Sequence, residues 1–144
     1  MDTKRIGNIG EAQVLAALVA RQIPVYIPFG DNESADLVAE IKGKLCKIQV
    51  KTCSNIKDNG SYNVDLRRNK NPWSAASENC HAGYTQEDID YFATYNTITK
   101  RVCLFDLATF NQTSVTLRIE KPLNNMSKGI KYEEDYSLEK ILDE

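Results

Sequence analysis

The sequence has 144 residues, with 42 % hydrophobic, 26 % charged and 8 % aromatic residues and a formal net charge of −2. Length and composition suit one globular domain and exclude a disordered tail or a fibre; no run approaches the ~20 apolar residues of a membrane span. Residues 1–5 lack an apolar core and a small-residue cleavage site, so a soluble, cytoplasmic chain without a membrane partner is expected. Cys46, Cys53, Cys80 and Cys103 contain no C-x-x-C pair and His81 is the lone histidine, which argues against a zinc site. No G-x-S-x-G elbow supports a serine triad.

Charge is unevenly distributed. Residues 42–70 hold eight basic side chains (Lys42, Lys44, Lys47, Lys51, Lys57, Arg67, Arg68, Lys70) against Asp58 and Asp65, a local +6 that leaves the rest at −8. Acids gather in the tail, at Glu133, Glu134, Asp135, Glu139, Asp143 and Glu144. A segregated basic stripe is what a polyanion-binding face needs, although a solvated charged surface has the same composition.

In chain order, Glu11, Leu15 and Leu18 recur at helical spacing, and Ile6, Val14 and Val19 widen the stripe. The first element is therefore a helix that turns a carboxylate toward the body of the protein. Gly7 and Gly10 each cost that helix ~1 kcal/mol relative to alanine, which implies close approach of a strand beneath or a phosphate backbone outside. Pro24 ends the helix by disfavouring helical backbone at Ile23. Residues 25–29 read as a strand and 30–34 as a loop. Residues 36–41 and 44–51 alternate as two strands joined by the two-residue turn Lys42-Gly43. A fourth strand is predicted over 62–66, then a polar loop over 67–84 containing Pro72, Trp73 and Gly83. Thr85-Gln86-Glu87-Asp88 resembles a capping box and predicts a helix through Tyr95 carrying Ile89, Tyr91 and Phe92. Strands follow over 101–106 and 113–119, and a short acidic helix over 138–142.

The hairpin carries the chemistry. With Lys42 and Gly43 in the turn, Ile41 faces Lys44 and Asp36 faces Gln49, and opposed residues share a face with Cβ atoms about 5 Å apart. Lys51 lies on that face, diagonal to Asp36. The alternate face presents Leu37, Ala39, Ile41, Cys46, Ile48 and Val50, a core surface. An acid, an amide and an ammonium thus meet at one end of the hairpin, which suits metal-assisted phosphodiester hydrolysis. Asp36, the Gln49 side-chain oxygen and the Val50 carbonyl are hard donors for Mg²⁺ (or Mn²⁺), which acidifies a bound water. Lys51 orients or deprotonates that water, or stabilises the developing negative charge. Glu11, if its helix packs on this face, binds a second ion or positions the water. The same spacing also describes an ordinary Asp36–Lys51 cross-strand ion pair.

Gly7-Asn8-Ile9-Gly10-Glu11, then Ala35-Asp36-Leu37-Val38, then Ile48-Gln49-Val50-Lys51-Thr52, resembles the ordered motif series of the PD-(D/E)XK nuclease superfamily. Asp88-Ile89-Asp90-Tyr91-Phe92-Ala93, with Tyr95 and the strand over 102–105, resembles the distal half of that core. The pattern is similar to the compact homing endonucleases encoded in cyanobacterial group I introns. The resemblance implies an α/β fold with a restriction-endonuclease-like core, a mixed β-sheet flanked by helices. It implies Mg²⁺-dependent, site-specific cleavage of double-stranded DNA, with Glu11, Asp36, Gln49 and Lys51 as the active site. Two departures stand out: Ala35 replaces the proline before the aspartate, and Gln49 replaces an acid. The second removes a charge, so metal affinity should fall unless Glu11 compensates. A junction resolvase, a restriction or repair nuclease, and a catalytically inactive DNA-binding module are the alternatives.

One nuclease domain over 1–144 is expected, with its core over 6–106 and an extension over 107–144. Arg67 and Arg68 are candidates for groove contacts, Lys57 and Lys70 for the phosphate backbone and Trp73 for stacking or packing. One chain carries one candidate site, so a double-strand break needs two copies. A homo-oligomer is expected, a tetramer of paired dimers in preference to a simple dimer, with the aromatic helix and the 113–119 strand as candidate interfaces.

Overall fold

In the computed structural model, which describes residues 1–30, 33–68, 83–120 and 129–144, Asp2 caps the first helix by accepting the Arg5 N–H at 2.8 Å. Helix α1 spans Thr3–Ala20. Its inward stripe is Gly10, Val14 and Leu18; Glu11 and Leu15 lie half-buried on the flank and Val19 is exposed. The helix is rotated by about one position from the expected stripe, so that Gly10 rather than Glu11 faces Thr52, where there is no room for a Cβ. A Cβ on Gly10 would sit 2.9 Å from Thr52 Cβ and 3.0 Å from its Cγ2. Of the two readings of this glycine, the strand beneath is correct.

The strands are β1 (Val25–Tyr26), β2 (Leu37–Ile41), β3 (Lys44–Cys53), β4 (Ser61–Asp65), β5 (Tyr91–Asn96), β6 (Val102–Asp106), β7 (Ser114–Arg118) and β8 (Lys131–Tyr132). Five form one mixed sheet in the order β1-β2-β3-β5-β6, with β3 and β5 parallel and the other pairs antiparallel. The remaining three form a second sheet, β4-β7-β8, so the strand at 113–119 pairs with β4 inside the chain. A 3-10 turn at Glu133–Tyr136 leads into α2, Leu138–Leu142.

Two cores sandwich the larger sheet. On one face Val14 and Leu18 of α1 and Leu138 of α2 pack on Leu37, Ala39, Ile41, Cys46, Ile48, Val50, Ala93 and Leu104. This is the alternate hairpin face expected to be core. On the other, Tyr62, Val64, Val115 and Leu117 of the second sheet cover Phe92, Cys103 and Phe105. The architecture is α/β, a mixed sheet with helices on one side and a small sheet on the other. Among the described residues no helix is long and apolar enough to cross a membrane.

The helix expected from Thr85 to Tyr95 is instead a turn followed by β5. Asp88 does cap Thr85, accepting its N–H at 2.9 Å and its hydroxyl at 3.1 Å, but the turn is not continued. Tyr91 to Tyr95 is rich in aromatic and β-branched side chains, and β5 is buried on both faces between β3 and β6. A continuous buried run of this kind suits a central parallel strand better than a one-sided surface helix. Phe92 and Tyr95 are consumed by the chain's own interior rather than presented as a helical interface.

Candidate active site

The site is built from the hairpin outward. Lys42 and Gly43 both take positive φ (53° and 79°), the conformation of the tight turn that matches strand twist. It sets the expected register, from Ile41 opposite Lys44 to Leu37 opposite Ile48. Beyond Leu37 the chain bends away. The Asp36 N–H donates to the Ile48 carbonyl at 2.8 Å, and the Asp36 carboxylate accepts the Val50 N–H at 2.9 Å. A side chain thus replaces backbone in the last rung of the ladder. Because Val50 N–H lies in the sheet, the carboxylate sits at the open edge of β3, and the expected pairing of Asp36 with Gln49 on one face is corrected: the ladder ends at Leu37 opposite Ile48. The Val50 carbonyl points toward the same edge, since both backbone groups of a strand residue turn to one neighbour.

Gln49 and Lys51 project to the face covered by the second sheet, whereas α1 packs on the opposite face, against Ile48, Val50 and Thr52. The expectation that the helix shares the Gln49–Lys51 face is therefore corrected. Glu11 nevertheless reaches Asp36 electrostatically, because an edge carboxylate is felt from both sides. Burial, and then the Asp36 charge, push the Glu11 carboxyl above its ordinary range. Burial also raises Asp36, while the Val50 N–H and the Lys51 ammonium pull it back. Burial lowers Lys51, opposed by the charges of Asp65 and Asp36.

The Lys51 ammonium donates to the Arg67 carbonyl at 2.8 Å and lies 5.3 Å from the centroid of the Tyr84 ring. Gln49 Nε2 donates to the Val50 carbonyl at 3.3 Å. A cleft of about 420 Å³ opens between the N-terminal turns of α1, the Gln49–Lys51 stretch of β3, and Asp65 and Arg67 at the end of β4.

The donor set fits a hard divalent cation. Two carboxylates that burial leaves short of compensating charge, a backbone carbonyl at an open edge and an amide that can present its oxygen are all oxygen ligands. Among the described residues no group of three His, Cys, Asp or Glu is placed to hold a metal. The neutral oxygens of Gln49 and Val50 would have to complete the set.

The basic stripe is less free than its charge suggests. Arg67 forms a two-pronged pair with Asp65 at 2.8 and 3.0 Å, and Arg68 bonds Asp88 at 2.8 Å and Ser34 at 3.0 Å. Lys44 stands 3.8 Å from Asp90, and the Lys47 ammonium donates to the Glu87 carbonyl. Lys57 is exposed in the turn between β3 and β4. Lys70, Trp73, Cys80 and His81 lie outside the described residues. Asp65 and Tyr84, both beside Lys51, were not singled out from sequence. They arrive through the pairing of β4 with β7 and the packing of Tyr84 on Phe92, contacts with no local periodicity.

A family model described as PD-(D/E)XK endonuclease matches residues 1–139. Among solved structures, a bacterial homing endonuclease, I-Ssp6803I, is similar with a TM-score of 0.68 and 23 % sequence identity, over 94 % of this chain and 86 % of that one. At that identity the likeness speaks for the fold. No curated protein matches the sequence. With the family match running through nearly the whole length, and the fold agreeing, this chain belongs to the PD-(D/E)XK endonucleases.

Proposed function

We propose that the chain cleaves double-stranded DNA at specific sites in a Mg²⁺- (or Mn²⁺-) dependent reaction, and that it serves as a homing endonuclease. One observation carries the reading: the Asp36 carboxylate and Val50 carbonyl share the open edge of β3, with Gln49 and Lys51 beside it. The solved homing endonuclease of similar fold favours homing over a resolvase or repair role.

In this reading Asp36, Glu11, the Gln49 amide oxygen and the Val50 carbonyl hold the cation. The chemistry a bound cation supplies there is charge neutralisation at the phosphate and acidification of a water. Asp36 is fixed by the Val50 N–H, so its free oxygen is aimed without reorganisation. Turning the Gln49 amide end for end presents Oε1 in place of Nε2. Lys51 places a fixed positive charge beside the scissile phosphate, where negative charge grows as the P–O bond breaks. Its seat on the Arg67 carbonyl keeps the long side chain from wandering. One chain offers one such site, so cutting both strands takes two copies, arranged as a dimer or a tetramer of paired dimers.

The test is cleavage of a randomised duplex library with Mg²⁺, wild type beside Asp36→Asn. Discrete cut sites from the wild type alone support the reading; none from either protein removes it. The neutral amide at 49 favours one rival, a DNA-binding module without catalysis. That rival predicts that Asp36→Ala and Lys51→Ala change nothing, whereas the nuclease reading predicts lost cutting with binding nearly intact.

A further inference from the structure

We infer that Arg68 and Tyr84 are positioning residues for Lys51, and that Arg68 is not a DNA contact. The inference rests on the nuclease reading above. The Tyr84 ring is buried and held edge-on by Phe92, with centroids 5.4 Å apart and planes at 79°. Two cations use that one ring: Lys51 Nζ at 5.3 Å and the Arg68 guanidinium at 5.2 Å.

The guanidinium also ties together pieces that are remote in sequence. Nη1 bonds Asp88 before β5, and Nη2 bonds the hydroxyl of Ser34, two residues before Asp36. The peptide carbonyl that receives the Lys51 ammonium belongs to Arg67, directly bonded to the Arg68 nitrogen. Anchoring the Arg68 side chain therefore fixes the acceptor for Lys51, and the Tyr84 ring beside both cations limits where the ammonium can lie. A lysine at 68 would supply the charge without the planar fork that reaches Asp88 and Ser34 together. The Arg68–Asp88 pair is too exposed, at 42 % and 24 %, to matter chiefly for stability. Its geometry makes sense as alignment.

The experiment measures two things on Arg68→Ala, Arg68→Lys, Tyr84→Phe and Tyr84→Leu, each checked for a cooperative melt. Binding of a labelled random-sequence duplex is read by anisotropy without metal across a range of salt. Single-turnover cleavage of the duplex library is read with Mg²⁺. The expected result for both Arg68 variants is binding within about twofold of wild type and an unchanged salt slope, with cleavage at least tenfold slower. Tyr84→Phe retains the ring and the rate; Tyr84→Leu loses rate as Arg68→Ala does. Weaker binding by Arg68→Ala with a salt slope reduced by about one, the mark of a lost phosphate contact, overturns the inference. So does wild-type cleavage by Arg68→Ala or Tyr84→Leu. A wild-type protein that binds but never cuts fails the nuclease reading itself, before any variant is compared.

Discussion

Gly10→Ala is the sharpest test of how the first helix presents Glu11. In an open helix this change gains ~1 kcal/mol in propensity. Here the new methyl falls well inside contact distance of Thr52 Oγ1, 2.9 Å from its Cβ and 3.0 Å from its Cγ2. Rotating the threonine relieves the hydroxyl contact but not the one to Cβ, so backbone must move. Restoring carbon contacts of ~3.5–4 Å requires α1 to rise by about 1 Å over β3. Overpacking of this size costs about 1–3 kcal/mol, which outweighs the propensity gain. Glu11 follows Gly10 and rides with it away from Asp36; if the two hold the cation as proposed, a displacement of about 1 Å can cost roughly a hundredfold in rate. Calorimetric melting and single-turnover cleavage should both fall. Gly7→Ala, with open space around the added carbon, should gain stability and serves as the propensity control. Adding Gly10→Ala to Thr52→Gly should cost much less than adding it to wild type; Thr52→Ala keeps the Cβ and should rescue only in part. A Gly10→Ala protein that melts no lower than wild type and cuts at the wild-type rate refutes this account of the helix–strand contact.

Other outcomes follow from the charges. Asp36 and Glu11 have folded-state pKa values raised by burial, so their stability contribution is full below the ordinary values of 3.8 and 4.5 and is lost as pH rises through the raised ones. Metal-free Asp36→Asn and Glu11→Gln should therefore melt above wild type at neutral pH, with the gap closing in acid; melting curves across pH decide it. Gln49→Glu should lower the Mg²⁺ concentration giving half-maximal cleavage while lowering the metal-free melting temperature, and an unchanged Mg²⁺ requirement would show that position 49 is not a ligand. Glu133 is buried and accepts the hydroxyls of Tyr62 at 2.6 Å and Thr99 at 2.7 Å, with Arg101 3.5 Å away. Glu133→Ala strands those groups and should cost about 2–4 kcal/mol in urea unfolding, whereas Glu133→Gln, which keeps an acceptor, should cost far less.

The hairpin was legible because its determinants are local. A glycine that accepts positive φ marks the turn, and alternation assigns six side chains to the core; both depend on neighbours within the hairpin itself. Helix α1 was legible as a helix but not in its rotation, which depends on contacts from across the fold, among them the close approach of Gly10 to Thr52. At β5 the local signal pointed the wrong way. Thr85 and Asp88 make a genuine capping interaction, yet burial between β3 and β6 favours extended backbone over the residues that follow. A cap can stabilise the start of a helix; it cannot compete with two ladders of backbone hydrogen bonds and two buried faces.

The same distinction explains how a neutral residue can stand at position 49. Asp65, brought in by the second sheet, is the first charge supporting the Lys51 ammonium, ahead of Asp36. It also pairs with Arg67 at the edge of the cleft. Lys51 therefore has two acids near it without any contribution from residue 49, and a third would add repulsion to carboxylates that burial already raises. Gln49 can supply an oxygen to a cation while leaving that balance undisturbed. An acid at 49 and an acid at 65 are alternative ways of keeping the lysine charged, and they differ in one respect. The acid at 49 would add its charge to those of Glu11 and Asp36, whereas Asp65 acts from a different sheet and leaves the edge of β3 to the cation and the phosphate that the proposed function places there.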